Sequence, residues 1–320
     1  MNNKPIIIIP GDDPPQCQGS PQLKKLETFG EIVLHSNRPE SNQEKIERAR
    51  DASVLINSRS AVKWPGEVLE ALPNLRMITV CGIGVDAIDL TTAKAKNILV
   101  CNIPGKTAPI VAEHAFGLMF SVAKRAAYQT VAVRAGNWSR VDNVFIQGKT
   151  LGVIGTGNIG SEMVRLGQAM GMRVVAWTYH PSGERSTKLG IPFVEFDELL
   201  RISDVVSLHL KLTDLSHHVI GQKELSLMKS GAILINVGRG ALVDEEALAA
   251  ALQSGHLGGA GIDVYGIEPP QIDHPLLSCD QAVFTPHCAD MTPEGVELLN
   301  EGVVENVIAF LKGAPQNVVS

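Results

Sequence analysis

The stretch LGVIGTGNIG, Leu151–Gly160, decides the reading of this 320-residue chain. A strand, Leu151–Ile154, runs into Gly155-x-Gly157-x-x-Gly160, and a helix is predicted from Asn158 to Met170. A strand before and a helix after are the context that a dinucleotide-binding turn requires. Gly155 allows the tight turn, Gly157 lets the backbone approach a pyrophosphate, and Gly160 lets helix and strand pack closely. The N-terminus of the helix, at Asn158 and Ile159, offers free N–H groups and partial positive charge to the anion. A glycine-rich turn without a ligand has the same spacing, so the two flanks carry the reading. Two GKT triplets, at 105–107 and 148–150, fail the phosphate-loop pattern, because Val100 and Asn143 stand where it needs glycine.

Working outward, short apolar runs alternate with helical stretches. IIIIP (6–10), EIVLH (31–35), SVLIN (53–57), RMITV (76–80) and ILVCN (98–102) read as strands. They are nearly continuous in apolar residues, as strands covered on both faces must be. SNQEKIERAR (41–50) and WPGEVLEALP (64–73) read as helices between them. One long helix is predicted over 107–136, capped by Thr107 and stopped near Gly136. A second alternation follows: TLGVIG, RVVAWT, DVVSLHL, AILINV, GAGIDV and AVFTP. A last helix is expected over 292–313. The pattern is α/β with parallel sheets.

The bulk properties narrow the function. The length suits two domains. A net charge of -6 argues against a general nucleic-acid binder, which needs a basic face. No apolar run reaches the ~18 residues of a membrane span. The five cysteines are odd in number and show no CxxC, so reduced thiols in a cytoplasmic protein are expected. NWS (137–139) matches a glycosylation acceptor, which has no meaning in that compartment.

The chain resembles the D-isomer-specific 2-hydroxyacid dehydrogenases over essentially its whole length. The likeness rests on CGIGVDAIDL (81–90), VAEHAFGLM (111–119), GKTLGVIGTGNIG (148–160), MKSGAILINVGRGALVDEEALAAAL (228–252), GAGIDVYGIEP (259–269) and FTPHCADMT (284–292). It implies two doubly wound parallel-sheet domains. A Rossmann cofactor domain, 104–288, would be inserted into a flavodoxin-like substrate domain, 1–103 and 289–320. The first ~100 residues and the last ~30 would thus build the substrate domain.

Oxidising a 2-hydroxy acid needs a base for the hydroxyl proton and a cation for the carboxylate. His287 follows the strand AVFT through Pro286, at the sheet edge where open α/β sheets bind ligands. Its position alone leaves open whether it is catalytic. The resemblance implies that it is the general acid/base, with Glu268 as the partner stabilising its charged form. It also implies that Arg239, in NVGRG, grips the substrate carboxylate, for which a planar guanidinium is suited. Asp263 resembles the aspartate that bonds the nicotinamide carboxamide. The other histidines, His114 and His209 among them, read as packed or element-end residues. Ile83 and Gly84 are candidate N–H donors to the substrate, and Arg59 and Ser60 match a region that faces substrate in some relatives.

The cofactor-binding set is then Gly155, Gly157, Asn158, Ile159, Gly160, Thr178, Thr107 and Asp263. NAD sites place a carboxylate about 20 residues after the first glycine, to hold the ribose 2′-hydroxyl. Here that position is Thr178, and no Asp or Glu occurs from Met172 to Gly183. Weak discrimination between NAD and NADP is therefore expected. No metal is expected, and the partners are a small 2-hydroxy or 2-keto acid and a second copy in a homodimer paired through 107–135. Phosphoglycerate dehydrogenase and hydroxypyruvate or glyoxylate reductase are the candidate activities. Formate and phosphite dehydrogenases share the fold, but a glutamine typically replaces the glutamate in the formate enzyme. A cofactor-sensing corepressor on the same scaffold is the alternative from another class.

Overall fold

The computed structural model describes residues 4–138 and 140–319, which leaves out Ser139 of the NWS triplet. The chain divides into two compact units, Met1–Thr107 with Met291–Ser320, and Ala108–Asp290.

The first unit holds five parallel strands: β1 (Ile6–Ile9), β2 (Glu31–Leu34), β3 (Val54–Asn57), β4 (Met77–Val80) and β5 (Leu99–Cys101). Their order is β2-β1-β3-β4-β5, the flavodoxin-like doubly wound arrangement. Side chains alternate between faces. Ile8, Leu55, Ile78 and Val100 pack against residues of α1 (Asn42–Ala49), α2 (Gly66–Glu70) and α3 (Leu90–Ala95). Ile7, Ile9, Ile56 and Met77 pack on the other face with Leu299, Val303 and Val307 of the C-terminal helix, Pro293–Leu311. Apolar strands flanked by helices on both faces therefore account for the near-continuous runs in the sequence.

In the second unit α4 (Ala108–Ala123) and α5 (Ala126–Arg134) precede β6 (Thr150–Ile154), α6 (Asn158–Ala169), β7 (Arg173–Trp177), α7 (Gly183–Leu189) and α8 (Phe196–Ile202). Then come β8 (Val205–Leu208), α9 (Gln222–Leu227), β9 (Ile233–Asn236), α10 (Glu245–Gln253), β10 (Gly259–Ile262) and β11 (Ala282–Phe284). The strands are parallel and ordered β11-β10-β9-β8-β6-β7. A single parallel bridge, Ala176 to Phe193, continues the sheet beyond β7. The winding direction reverses between β6 and β8, so the turn after β6 sits at the topological switch point.

The single helix expected over 107–136 is instead two. Arg125 takes a left-handed conformation, φ 54° and ψ 28°, and ends the α4 register. Lys124 turns aside to bond the Val144 carbonyl at 2.7 Å and Asn143 Oδ1 at 3.2 Å. α4 is a core helix with nine buried residues, whereas α5 buries none. The chain leaves the core at this point with no glycine or proline to mark the break.

Candidate active site

The glycine turn has the geometry of an anion cradle. Gly155 adopts φ +93°, and a Cβ there would lie 2.7 Å from the His209 carbonyl oxygen. A Cβ at Gly160 would lie 1.9 Å from the Gly155 carbonyl oxygen, so only glycine lets α6 start this close to the turn. Gly157 differs, because a Cβ there would meet no protein atom within 4 Å. The space beside it is open above the N-terminus of the twelve-residue α6. Between the glycines, Thr156 Oγ1 is buried and has no protein partner among the described residues. An open cradle, a helix N-terminus and an orphaned buried hydroxyl fit the pyrophosphate of a dinucleotide.

Beside it, His209 bonds Ser207 Oγ through Nε2 at 2.9 Å, while its Nδ1 is buried without a partner among the described residues. Burial pushes this imidazole down to about 3, so it is neutral near pH 7. Thr178 directly follows β7. Tyr179 donates its hydroxyl to the Leu215 carbonyl at 3.0 Å, and Ser182 Oγ accepts the Arg185 N–H as the cap of α7. The hydroxyls of Tyr179 and Ser182, which follow Thr178, thus both have structural partners.

At the carboxyl edges of β9, β10 and β11, three side chains named from sequence come together. His287 Nδ1 and Glu268 Oε2 are 2.8 Å apart. An ionised carboxylate only accepts, so Nδ1 carries the proton and Nε2 is left for other chemistry. The other oxygen of Glu268 accepts the Tyr265 N–H at 3.1 Å. Burial would raise the Glu268 carboxyl. The hydrogen bond and charge of His287, the Tyr265 N–H and the charge of Arg239 outweigh it and hold the group below the usual carboxylate range. The charge of Arg239 thus bears on Glu268. Gly240 lets the turn after Arg239 lie against the backbone of the loop that bears Glu268, since a Cβ there would lie 1.9 Å from the Tyr265 carbonyl carbon. Arg239 also bonds the Gly238 carbonyl, and its own carbonyl accepts from Asn236 Nδ2 at 2.9 Å.

His287 has φ +51°, which non-glycine residues adopt at a cost of order ~1 kcal/mol or more. Asp263 enforces it. The Asp263 carbonyl accepts the His287 N–H at 2.7 Å, Oδ1 accepts the Cys288 N–H at 3.0 Å, and Oδ2 accepts the Ala289 N–H at 3.1 Å. Asp263 itself is fully buried. Burial would raise its carboxyl, but hydrogen bonds from His114, Thr285 and Cys288 hold it below the usual range. Thr285 Oγ1 lies 2.6 Å from Asp263 Oδ1 and 3.0 Å from His114 Nε2. His114, read from sequence as a packed helix residue, is thus part of this cluster. Only its three-residue offset from Val111 on the buried side of α4 signalled an inward position.

The remaining candidates lie in the first unit. The carbonyls of Gly82, Ile83 and Gly84 accept from the Ile103 N–H, Asn102 Nδ2 and Ser60 Oγ respectively. Arg59 and Ser60 are both left-handed, φ 47° and 54°. Arg59 Nη1 bonds Gln16 Oε1 at 2.6 Å, and Ser58 bonds the buried Asp12, which also gathers the N–H groups of Gln16, Cys17 and Gln18. Thr107 is buried at the boundary of this unit.

The model of the D-isomer specific 2-hydroxyacid dehydrogenase NAD-binding domain matches residues 116–289. A hydroxypyruvate reductase of Thermotoga maritima is 38% identical over 291 residues, 88% of this chain and 94% of that protein. A D-3-phosphoglycerate dehydrogenase of Methanocaldococcus jannaschii is 36% identical over 93% of this chain, which spans 57% of that protein's length. Among solved structures, D-lactate dehydrogenase from Aquifex aeolicus with NAD and lactic acid has a TM-score of 0.84 at 31% identity, covering 97% of this chain and 96% of that one. An acyclic imino acid reductase with NADPH and D-Arg has a TM-score of 0.89 at 28% identity, covering 98% and 100%. The chain belongs to the D-isomer specific 2-hydroxyacid dehydrogenase family. Its second unit carries that family's dinucleotide-binding domain.

Proposed function

We propose that this protein is a nicotinamide-dependent oxidoreductase interconverting a small 2-keto acid and its D-2-hydroxy acid. The observation that carries the reading is the His287–Glu268 pair at 2.8 Å beside Arg239, on the sheet edge that bears the glycine turn. A bound nicotinamide supplies or accepts the hydride at C2 of the substrate. In reduction, protonated His287 gives its Nε2 proton to the developing alkoxide. In oxidation, neutral His287 takes the hydroxyl proton. Glu268 keeps Nδ1 protonated in both directions, so Nε2 is always the exchanging atom. Arg239 binds the substrate carboxylate and draws electron density from the adjacent carbonyl.

Gly155, Gly157, Asn158, Ile159 and Gly160 would hold the pyrophosphate, and Thr107 and Asp263 would border the nicotinamide half. For the first unit we propose substrate recognition by Ile83, Gly84, Arg59 and Ser60. The domain roles follow: residues 104–288 bind cofactor, and 1–103 with 289–320 bind substrate. Thr178 leaves the ribose 2′ position without a repelling carboxylate, which supports use of both NAD and NADP. A homodimer paired through the 107–135 region is supported by the exposure of Val131 and Val133 on α5. Cytoplasmic residence is consistent with five free cysteines.

The test is a screen of glyoxylate, hydroxypyruvate, pyruvate, phenylpyruvate and 3-phosphohydroxypyruvate with NADH and NADPH. Turnover lost in His287→Asn supports the reading. Cofactor binding without turnover on any of these acids counts against it and favours the corepressor-like alternative.

A further inference from the structure

We propose that His114 is a positioning residue for His287, acting through Thr285 and Asp263. The inference rests on the acid/base reading above and extends it to a helix remote in sequence.

The direction of each hydrogen bond follows from the acceptor at its end. Asp263 is held ionised, so its Oδ1 only accepts. Thr285 has one hydroxyl proton and must give it to Asp263, at 2.6 Å. The contact between Thr285 Oγ1 and His114 Nε2, at 3.0 Å, then needs its proton from the imidazole. The same Nε2–H lies 3.4 Å from Asp263 Oδ1. His114 is therefore fixed as the donor at the head of a chain running His114, Thr285, Asp263. That chain ends on the backbone of the 287–289 turn, where Asp263 accepts from His287, Cys288 and Ala289.

Three features seat the donor. α4 packs on β9, β10 and β11. The glycines of β10 let it approach, since a Cβ at Gly261 would stand 2.9 Å from Leu118 Cβ, and one at Gly259 would stand 2.4 Å from Val122 Cγ1. Tyr265 pins the other side, donating its hydroxyl to the Thr285 carbonyl at 3.0 Å while its N–H holds Glu268. Thr285 is thus gripped through both its hydroxyl and its carbonyl, two residues before a histidine in a strained conformation. Without His114, the Thr285 hydroxyl loses the donor that orients it, and Asp263 loses a hydrogen-bonding neighbour. The left-handed turn then has fewer restraints holding it against relaxation.

The experiment compares His114→Leu, His114→Gln, Thr285→Val and Thr285→Ser. Gln keeps an N–H donor at about the reach of Nε2, and Ser keeps the hydroxyl, whereas Leu and Val remove them. Expected are losses of about tenfold in kcat per folded site for Leu and Val, with the keto-acid KM within about twofold, and recovery in Gln and Ser. A second readout is independent of turnover: the ring-nitrogen spectrum of 15N-histidine-labelled protein, with His287 identified by its loss in His287→Asn. A single Nδ1–H tautomer is expected in wild type, Gln and Ser, and averaged tautomers in Leu and Val. An unchanged tautomer and kcat in folded His114→Leu overturn the proposal. If wild type turns over no keto acid but the tautomer still responds to His114, the functional reading fails and the positioning role stands.

Discussion

Glu268 spends its two carboxylate oxygens on different parts of the site: Oε2 on His287 Nδ1 at 2.8 Å, and Oε1 on the Tyr265 N–H at 3.1 Å. The carboxyl is held below its usual range, so it stays ionised through the pH span where imidazole titrates. Its negative charge favours the protonated ring. Glu268→Gln removes the charge but keeps an amide oxygen as acceptor. Keto-acid reduction should then begin to fall at lower pH, and hydroxy-acid oxidation should begin to rise at lower pH. Rate profiles from about pH 5 to 8, the interval in which an imidazole changes charge, that coincide with wild type would remove Glu268 from the pair.

Arg239→Lys should keep the fold and lose most activity. An ammonium cannot reproduce the two-pronged grip on a carboxylate. The expected loss in kcat/KM is about 100-fold, on the order of 2.7 kcal/mol of transition-state stabilisation. Both KM for the keto acid and kcat should worsen. Steady-state kinetics within threefold of wild type (about 0.65 kcal/mol) would take Arg239 out of the site.

The glycines of the turn should separate into two kinds. Gly160→Ala drives a methyl into the Gly155 carbonyl, 1.9 Å away, and should lower stability by about 2–4 kcal/mol. Gly157→Ala meets no protein atom, so the melting temperature should hold while dinucleotide affinity falls by at least about tenfold. Thermal melts with and without NAD distinguish the two. Equal destabilisation by both substitutions would contradict the cradle geometry.

Asp263 sets an acid limit on stability. Its carboxyl is lower in the folded protein than in the unfolded chain, so the stabilisation is present above the unfolded value of about 3.9 and is lost as pH falls below it. Asp263→Asn should be less stable at neutral pH and should lose less on acidification to about pH 3.5. Denaturant unfolding at several pH values measures this, and parallel curves for the two proteins would refute it.

Cofactor choice should turn on the residue after β7. Thr178→Asp places a carboxylate where a 2′-phosphate would sit and should shift preference toward NAD by roughly tenfold to 100-fold, or about 1.4–2.7 kcal/mol. In wild type, kcat/KM with NADPH should fall within about 100-fold of that with NADH. A much stronger rejection of NADPH would show that another residue closes the pocket.

Much of this was legible in the chain itself. Apolar runs such as Val54–Asn57 and Ile233–Asn236 specify parallel strands because both faces are covered, and their residues are buried throughout. The fingerprint from Gly155 to Gly160 is readable because its constraints are local: a left-handed residue and a helix start within six positions. Arg239 and His287 stand just past strands, but their roles, and that of Glu268 in the loop after β10, could be named only because the motifs around them resemble those of the family.

Tertiary structure alone decided the rest. The break at Arg125 has no local signal, because it arises where a buried helix gives way to one with no buried residue. The left-handed turn at His287 is not marked by glycine, because backbone bonds from Asp263, 24 residues earlier, impose it. His114 meets Thr285 across a separation of 171 residues. Periodicity assigns such a side chain to the inner face of a helix. Which acceptor it finds there depends on how closely the helix can approach the sheet, and that is set by the glycines of a strand it does not neighbour in sequence.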